Sequence, residues 1–228
     1  KKNSKVIDVG DESLLLSKQG PTCVSKKKID GAKLCENLKS NLIIMDDGLQ
    51  SIDIRKNFRI LVIDGDYGFG NKKIFPSGPL REPIEDCINN SDIILIIDPK
   101  KKLKELNNIP KERLFFAKKI INFKSLLNKK LFVFSAIGNN KNFHKSLINS
   151  GLKIKKIKSF PDHYYFKKHD LRNIIEEAKK ENLFVVCTEK DYTKIPTEYK
   201  KFIFPIKLKL KINESGRLIR RIINVIMN

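Results

Sequence analysis

The stretch SDIILIIDP, Ser91–Pro99, sets the aliphatic run Ile93–Ile97 directly against Asp98. A strand with one wet face alternates apolar and polar residues. An unbroken run of this length reads instead as a strand buried on both faces, as in a parallel sheet covered by helices. The design recurs. Leu42–Met45 runs into Asp46, Ile60–Ile63 into Asp64 and Leu131–Phe134 into Ser135, while Leu183–Val186 stops just before Thr188. Helical patterns lie between these runs. Ile29, Ala32, Leu34, Cys35 and Leu38 form one stripe, and Pro83 opens a segment reaching about Asn90. Phe143, Leu147 and Ile148 form another, closed by Gly151. Leu171, Ile174, Ile175 and Ala178 fall on one face at helical spacing. Alternating strands and helices predict βαβ units in a three-layer α/β fold.

The tail has a different rhythm. Ile206, Leu208, Leu210 and Ile212 alternate with Lys207, Lys209 and Lys211, the pattern of a half-exposed strand whose lysines guard an edge. Leu218, Ile219, Ile222, Ile223 and Ile226 then predict a closing helix. The lysine-rich stretch Lys100–Lys130 is the least regular, and a domain boundary is expected near its end, dividing 1–129 from 130–228.

The 228 residues carry 47 Lys and Arg against 26 Asp and Glu, a net charge of +21. With 40% hydrophobic residues the chain is too apolar for a disordered class, and no run approaches the ~18 apolar residues of a membrane-spanning helix. Only eight of the 47 basic residues are Arg, and the excess of Lys, Asn and Ile reads mainly as composition bias over a solvated surface. That surface still attracts anionic lipid or phosphate. Cys23, Cys35, Cys87 and Cys187 form no CxxC pair and, with only three histidines, argue against zinc and for reduced thiols. The chain begins at Lys1 without a signal-peptide pattern, and further sequence is expected before it.

Four motifs carry chemistry. NLIIMDDGLQ, Asn41–Gln50, puts Asp46 and Asp47 after an apolar run, resembling a Walker B end: hard carboxylate oxygens suit Mg²⁺ held jointly with phosphate. The bland alternative is an Asp-Gly turn. DGDYGFGN, Asp64–Asn71, leads into PSGPLREP, Pro76–Pro83. Its glycines permit close backbone approach, Arg81 suits bidentate phosphate contact and Glu82 a metal. The spacing is not GxGxxG, so a dinucleotide fingerprint is excluded. SFPDH, Ser159–His163, offers a histidine as proton carrier, or simply a structural His–Asp pair. TEKD, Thr188–Asp191, reads equally as a helix cap or an interface network.

Taken together, VGDESLLL at Val9–Leu16, DDGLQ at Asp46–Gln50, VIDGDYGFGN at Val62–Asn71, PSGPLREP, FPDH and TEKD resemble, in order, the tetraacyldisaccharide 4'-kinase family. The resemblance implies a P-loop-kinase-like fold: a mostly parallel sheet with helices on both faces, plus a smaller second α/β domain. It implies ATP- and Mg²⁺-dependent phosphorylation of the 4'-hydroxyl of a tetraacylated glucosamine disaccharide. The expected place is the cytoplasmic face of the bacterial inner membrane, with peripheral association to anionic lipid and no nucleic acid. Asp11 matches the catalytic acid that accepts the hydroxyl proton, and His163 the histidine paired with it. Asp46, Asp47 and Glu82 match metal-side carboxylates. Gln50, Asn71 and Arg81 match residues lining the substrate site.

Two departures from the family pattern stand out. Ser51 replaces a common histidine, and no GxxxxGK[ST] occurs among the 228 residues. The family's P-loop and amphipathic N-terminus are therefore expected upstream of Lys1, and the 228 residues alone are expected to be inactive. The rival reading is a non-catalytic basic module for anionic lipid or nucleic acid. It has the charge in its favour, but no RNA-binding or helix-turn-helix pattern.

Overall fold

The computed structural model describes residues 6–122 and 124–227. In chain order its elements are α1 (Val6–Val9), α2 (Asp11–Leu16), α3 (Lys28–Asn37), β1 (Ile60–Asp64), α4 (Ile84–Asn89), β2 (Ile93–Ile97), β3 (Leu114–Asn122) and β4 (Lys130–Ser135). They continue as α5 (Asn140–Asn149), β5 (Lys153–Ser159), α6 (Lys168–Lys180), β6 (Phe184–Thr188), α7 (Glu189–Thr193), α8 (Thr197–Lys200), β7 (Ile203–Ile212) and α9 (Ser215–Met227).

The chain forms two compact units that are discontinuous in sequence. One joins the residues up to Val24 to Ile121–Lys209; the other joins Ser25–Ile120 to Leu210 and beyond. The division expected from chain order, 1–129 and 130–228, differs because each terminal segment packs with the unit remote from it in sequence. Glu12 of α2 pairs with Lys190 of α7. Leu218 and Ile222 of α9 share a cluster with Ile93, Leu95 and Phe115.

In the Ser25–Ile120 unit, β1, β2 and β3 pair in parallel, with Ile60 opposite Ile93 and Ile94 opposite Leu114. β2 is the buried strand that SDIILIIDP predicts, and its alternate residues feed both layers. Ile94 and Ile96 pack with Ile63, Ile88 of α4 and Leu106 on one face. Ile93 and Leu95 pack with Phe115, Ala117 and α9 on the other. β3 escapes the sequence pattern because Lys118 and Lys119 interrupt it. Its Phe115 and Ala117 are buried while Phe116 and Ile120 are exposed, the alternation of a strand with one open face.

The other unit repeats the scheme. β4 pairs in parallel with β5 and with β6, and β6 pairs in parallel with the start of β7. Phe132 and Phe134 of β4 face Leu171, Ile174, Ile175 and Ala178 of α6. Leu131 and Val133 face Leu147 of α5. Helices therefore cover both faces, and each fully buried Leu or Ile of α6 contributes about 1.5–3 kcal/mol of hydrophobic stabilisation. β5, KIKKIKS, was hidden by its lysines. Burial alternates along it, with Ile154, Lys156 and Lys158 half-buried and Lys153, Lys155 and Ile157 exposed, and among the described residues it pairs with β4 alone, where charge guards the edge.

Two expectations are corrected. Leu42–Met45 takes no regular secondary structure and joins no strand ladder among the described residues, and Ile44 is 86% exposed. Four apolar residues make a strand only where neighbouring backbone satisfies them, and none is supplied there. In β7 the alternation does not sort into two faces: Leu208 and Leu210 are exposed together with Lys207, Lys209 and Lys211.

Candidate functional site

The chemistry-bearing residues gather into two constellations, one in each unit. The first lies in the unit built around β4 and β6. Gly10 adopts φ 81°, a left-handed conformation that glycine enters freely, and hands the chain into α2 at Asp11. The Asp11 side chain is 7% exposed. Its Oδ1 accepts a hydrogen bond from the Glu12 backbone N–H at 3.0 Å. Its Oδ2 accepts none among the described residues. Around that oxygen stand His163 Nδ1 at 3.5 Å, Lys194 Nζ at 3.7 Å and Lys190 Nζ at 4.0 Å.

His163 is held by its neighbours in sequence. Phe160 stacks on Tyr164 with ring centroids 4.9 Å apart and meets Phe166 edge-on at 5.2 Å. Tyr164 donates its hydroxyl to Asp170 Oδ2, which also accepts the Lys167 backbone N–H at the start of α6. The FPDH turn is thus pinned from both ends. His163 sits within it at φ 57°, and its backbone N–H donates to Asp162 Oδ1 at 2.9 Å. A non-glycine residue at positive φ is uncommon and marks a place where the surroundings over-determine the backbone. The imidazole is 60% exposed, so it faces solvent on one side and Asp11 on the other. A cleft of about 230 Å³ opens here, lined by Gly10, Asp11, Ser13, His163, Tyr165 and Lys194.

TEKD resolves into a cap that also supports this cleft. Thr188 Oγ1 accepts the Asp191 backbone N–H and caps α7. Asp191 is wholly buried, and its Oδ2 accepts from the Ala136 backbone N–H at 3.0 Å and the Thr188 hydroxyl at 2.7 Å. Its Oδ1 lies 2.8 Å from Lys194 Nζ. Lys190 reaches Glu12 at 3.0 Å. Burial works against the Lys190 charge, but the Glu12 hydrogen bond and the Asp11, Glu12 and Asp162 carboxylates outweigh it and hold its pKa above the ordinary lysine value. Sequence reasoning left Lys194 unmentioned. The only trace of it was an Asp and a Lys three apart after a buried strand, the spacing of a helical ion pair.

The second constellation lies in the Ser25–Ile120 unit. Asp46 and Asp47 sit in a turn, Asp47 at φ 50°. The turn is laced by two lysines that the sequence did not mark. Lys28 Nζ donates to the Asp46 and Asp47 carbonyls, and Lys56 Nζ to those of Gly48, Leu49 and Ser51. Partial burial, with Arg59 and Lys28 nearby, pulls the Lys56 pKa below the ordinary value. Asp47 Oδ2 is paired with Arg81 at 2.6 Å. Gln50 Nε2 donates to Glu82 Oε1 at 2.8 Å. Burial, and then the Glu82 carboxylate, push the Cys87 thiol up to about 11. Asn71 uses both ends of its amide within its own loop, donating to the Ser77 carbonyl at 2.9 Å and accepting the Lys73 N–H at 3.1 Å.

Asp46, Asp47 and Glu82 do not converge: among the described residues no three His, Cys, Asp or Glu side chains form a metal-holding group. The donor chemistry of Asp46 and Asp47 nonetheless fits Mg²⁺ in part, since that ion takes one or two carboxylates and fills its shell with water and phosphate oxygens. A larger depression of about 330 Å³ in the same unit is lined by Ile96, Leu103, Leu106, Leu114 and Phe116 with Lys100–Lys102 at its margin; it holds no acid–base pair.

Parallel strands layered by helices on both faces, with acids and a histidine collected in turns and at a helix start beside them, define an α/β protein. The fold agrees with a crystal structure of the "apo" form of LpxK from Aquifex aeolicus in complex with ATP. The TM-score is 0.75 and the identity 24%, over 98% of this chain and 71% of that one. The profile of the Tetraacyldisaccharide-1-P 4'-kinase family matches residues 1–227, and the chain belongs to that family. It is 36% identical over 196 residues to the tetraacyldisaccharide 4'-kinase of Bartonella quintana, covering 84% of this chain and 57% of that protein. It is 33% identical over 228 residues to that of Rickettsia bellii, covering 97% and 69%. The chain thus spans little more than half the length of the first of these relatives.

Proposed function

We propose that the protein transfers the γ-phosphoryl group of ATP to the 4'-hydroxyl of a tetraacylated glucosamine disaccharide. Family membership supports this reading, as do the names of the relatives and the ATP in the Aquifex structure. The observation that carries it in this chain is the approach of His163 Nδ1 to Asp11 Oδ2 beside an open cleft. Phosphoryl transfer needs positioning and charge neutralisation more than covalent chemistry. Asp11 accepts the sugar hydroxyl proton at Oδ2, the oxygen without a hydrogen bond among the described residues, and His163 orients that carboxylate from the solvent side. General-base help of this kind is worth about 10²–10⁴-fold.

Asp46 and Asp47 would hold Mg²⁺ bound with the nucleotide, and Mg²⁺ would offset phosphate charge there. Arg81, paired with Asp47, carries planar donors that would suit bidentate contact to phosphate beside that carboxylate. Gln50 holds Glu82 against the loop, and Asn71 shapes the loop that meets the substrate. The charge of +21, with exposed Ile219 and Ile223 beside Arg220 on α9, supports peripheral attachment to an anionic membrane; the cytoplasmic face is the one the family resemblance implies.

The test is phosphoryl transfer from labelled ATP to the disaccharide lipid by the protein with all flanking sequence its gene encodes. Transfer that requires Asp11 and a divalent ion supports the reading. Equal transfer by Asp11→Asn overturns the role of Asp11.

A further inference from the structure

Lys194 has no role in the account above, yet it is the most deeply buried cation beside Asp11. Its side chain is 1% exposed, against 20% for Lys190. A buried ammonium is costly unless it is paired, so what it pairs with indicates what it is for. On one side it meets the buried Asp191 at 2.8 Å. On another its Nζ lies 5.4 Å from the centre of the Phe166 ring, within cation–π range. Its remaining near anion is Asp11 Oδ2, 3.7 Å away, which accepts no hydrogen bond among the described residues. Asp191 is itself fixed by the Ala136 N–H and the Thr188 hydroxyl, so the ammonium is anchored to β6 and to the start of α7. Lys190, the other cation near Asp11, is committed to Glu12 and partly solvated.

We propose that Lys194 is a positioning residue for the reaction: anchored by Asp191, it fixes the Asp11 carboxylate with Oδ2 turned into the cleft. This rests on the reading of Asp11 as the proton acceptor. Three groups then act on one carboxylate from three directions. The Glu12 N–H holds Oδ1, His163 approaches Oδ2 from the solvent side, and Lys194 approaches it from the interior. The interaction matters because an opposite charge at this distance in a buried site is weakly screened. It also explains TEKD, whose Thr188 and Asp191 serve the ammonium rather than the substrate.

A double-mutant cycle on the intact protein tests this, with kcat and KM measured for wild type, Lys194→Met, Asp11→Asn and the double variant. A positioning residue that acts through Asp11 lowers kcat at least tenfold with KM for ATP and lipid nearly unchanged. In the Asp11→Asn background the same substitution then costs less than twofold, because the group it positions is gone. Lys194→Met alone leaves Asp191 as an uncompensated buried charge. Lys194→Met/Asp191→Asn is therefore made in parallel, to remove charge in balance, and thermal melting confirms its fold. Its kcat falls in the same way. Additive losses in the cycle, or a rise in KM at constant kcat, overturn the role of Lys194. A wild-type kcat for Asp11→Asn overturns instead the reading on which it rests.

Discussion

His163 Nδ1 lies 3.5 Å from Asp11 Oδ2, although the two residues come from the two separate segments of a discontinuous unit. The contact exists because α2 packs against the segment that follows β6 and because a rigid aromatic turn presents the imidazole. The pair is asymmetric: the carboxylate is 7% exposed and the imidazole 60%. A buried acceptor with an exposed partner suits a proton that arrives from a substrate in the cleft and leaves to water. In the intact protein, Asp11→Asn and His163→Ala should each lower kcat by about 10²–10⁴-fold while ATP affinity changes little. Isothermal titration with a non-hydrolysable ATP analogue and steady-state kinetics separate the two quantities, and a wild-type kcat for both variants would refute the pair.

Gly78 is required by space. A Cβ there would meet Asn71 Oδ1 and the Lys73 carbonyl oxygen, each at 2.2 Å. Gly78→Ala should therefore cost about 1–3 kcal/mol through overpacking. Asn71→Ala should loosen the same loop by removing its two internal hydrogen bonds. Denaturant unfolding reads the first effect, and limited proteolysis between residues 71 and 80 the second. Full stability for Gly78→Ala would mean that the loop takes another path.

His144 makes stability depend on pH. It is buried beside Ser135, with Nε2 3.1 Å from Oγ, and burial lowers its pKa below the ordinary value of 6.5. The unfolded chain then binds a proton more readily than the folded one, so stability rises with pH in that window. The contribution is fully present above about pH 6.5 and is lost as pH falls through the folded-state value. Unfolding free energy measured from pH 7.5 to 5 should fall more steeply for wild type than for His144→Gln. Parallel curves would remove His144 from the account.

The thiols should divide by burial. Cys23 is exposed and Cys35 half-buried, whereas Cys87 and Cys187 are buried. Burial pushes the Cys187 thiol well up, and burial with Glu82 takes Cys87 to about 11. The thiolate is the reactive form, so iodoacetamide at pH 8 should modify Cys23 and then Cys35, sparing the other two until the protein unfolds. Mass spectrometry of the labelled peptides decides it. Early modification of Cys87 would contradict its contact with Glu82.

The order of elements was legible because buried parallel strands and amphipathic helices are written locally. Ile93–Ile97 needs no partner to declare a doubly covered strand, and Leu171, Ile174, Ile175 and Ala178 declare the buried face of α6. Motifs placed Asp11 and His163 in one family, whereas TEKD stayed open between a cap and an interface network until the Thr188 hydroxyl was seen to accept the Asp191 N–H. Tertiary structure decided what depends on distant neighbours. Leu42–Met45 has a strand's composition but found no ladder among the described residues, since hydrogen-bond partners lie outside the segment that needs them. β3 and β5 became strands despite their lysines, because adjacent strands satisfied their backbones. The termini changed units because Glu12 met Lys190 and because Leu218 found the core around Phe115. Lys28, Lys56 and Lys194 were indistinguishable in sequence from the many solvated lysines. A lysine gains a role only from the carbonyls or carboxylates that folding brings to its ammonium, and no local pattern records their positions.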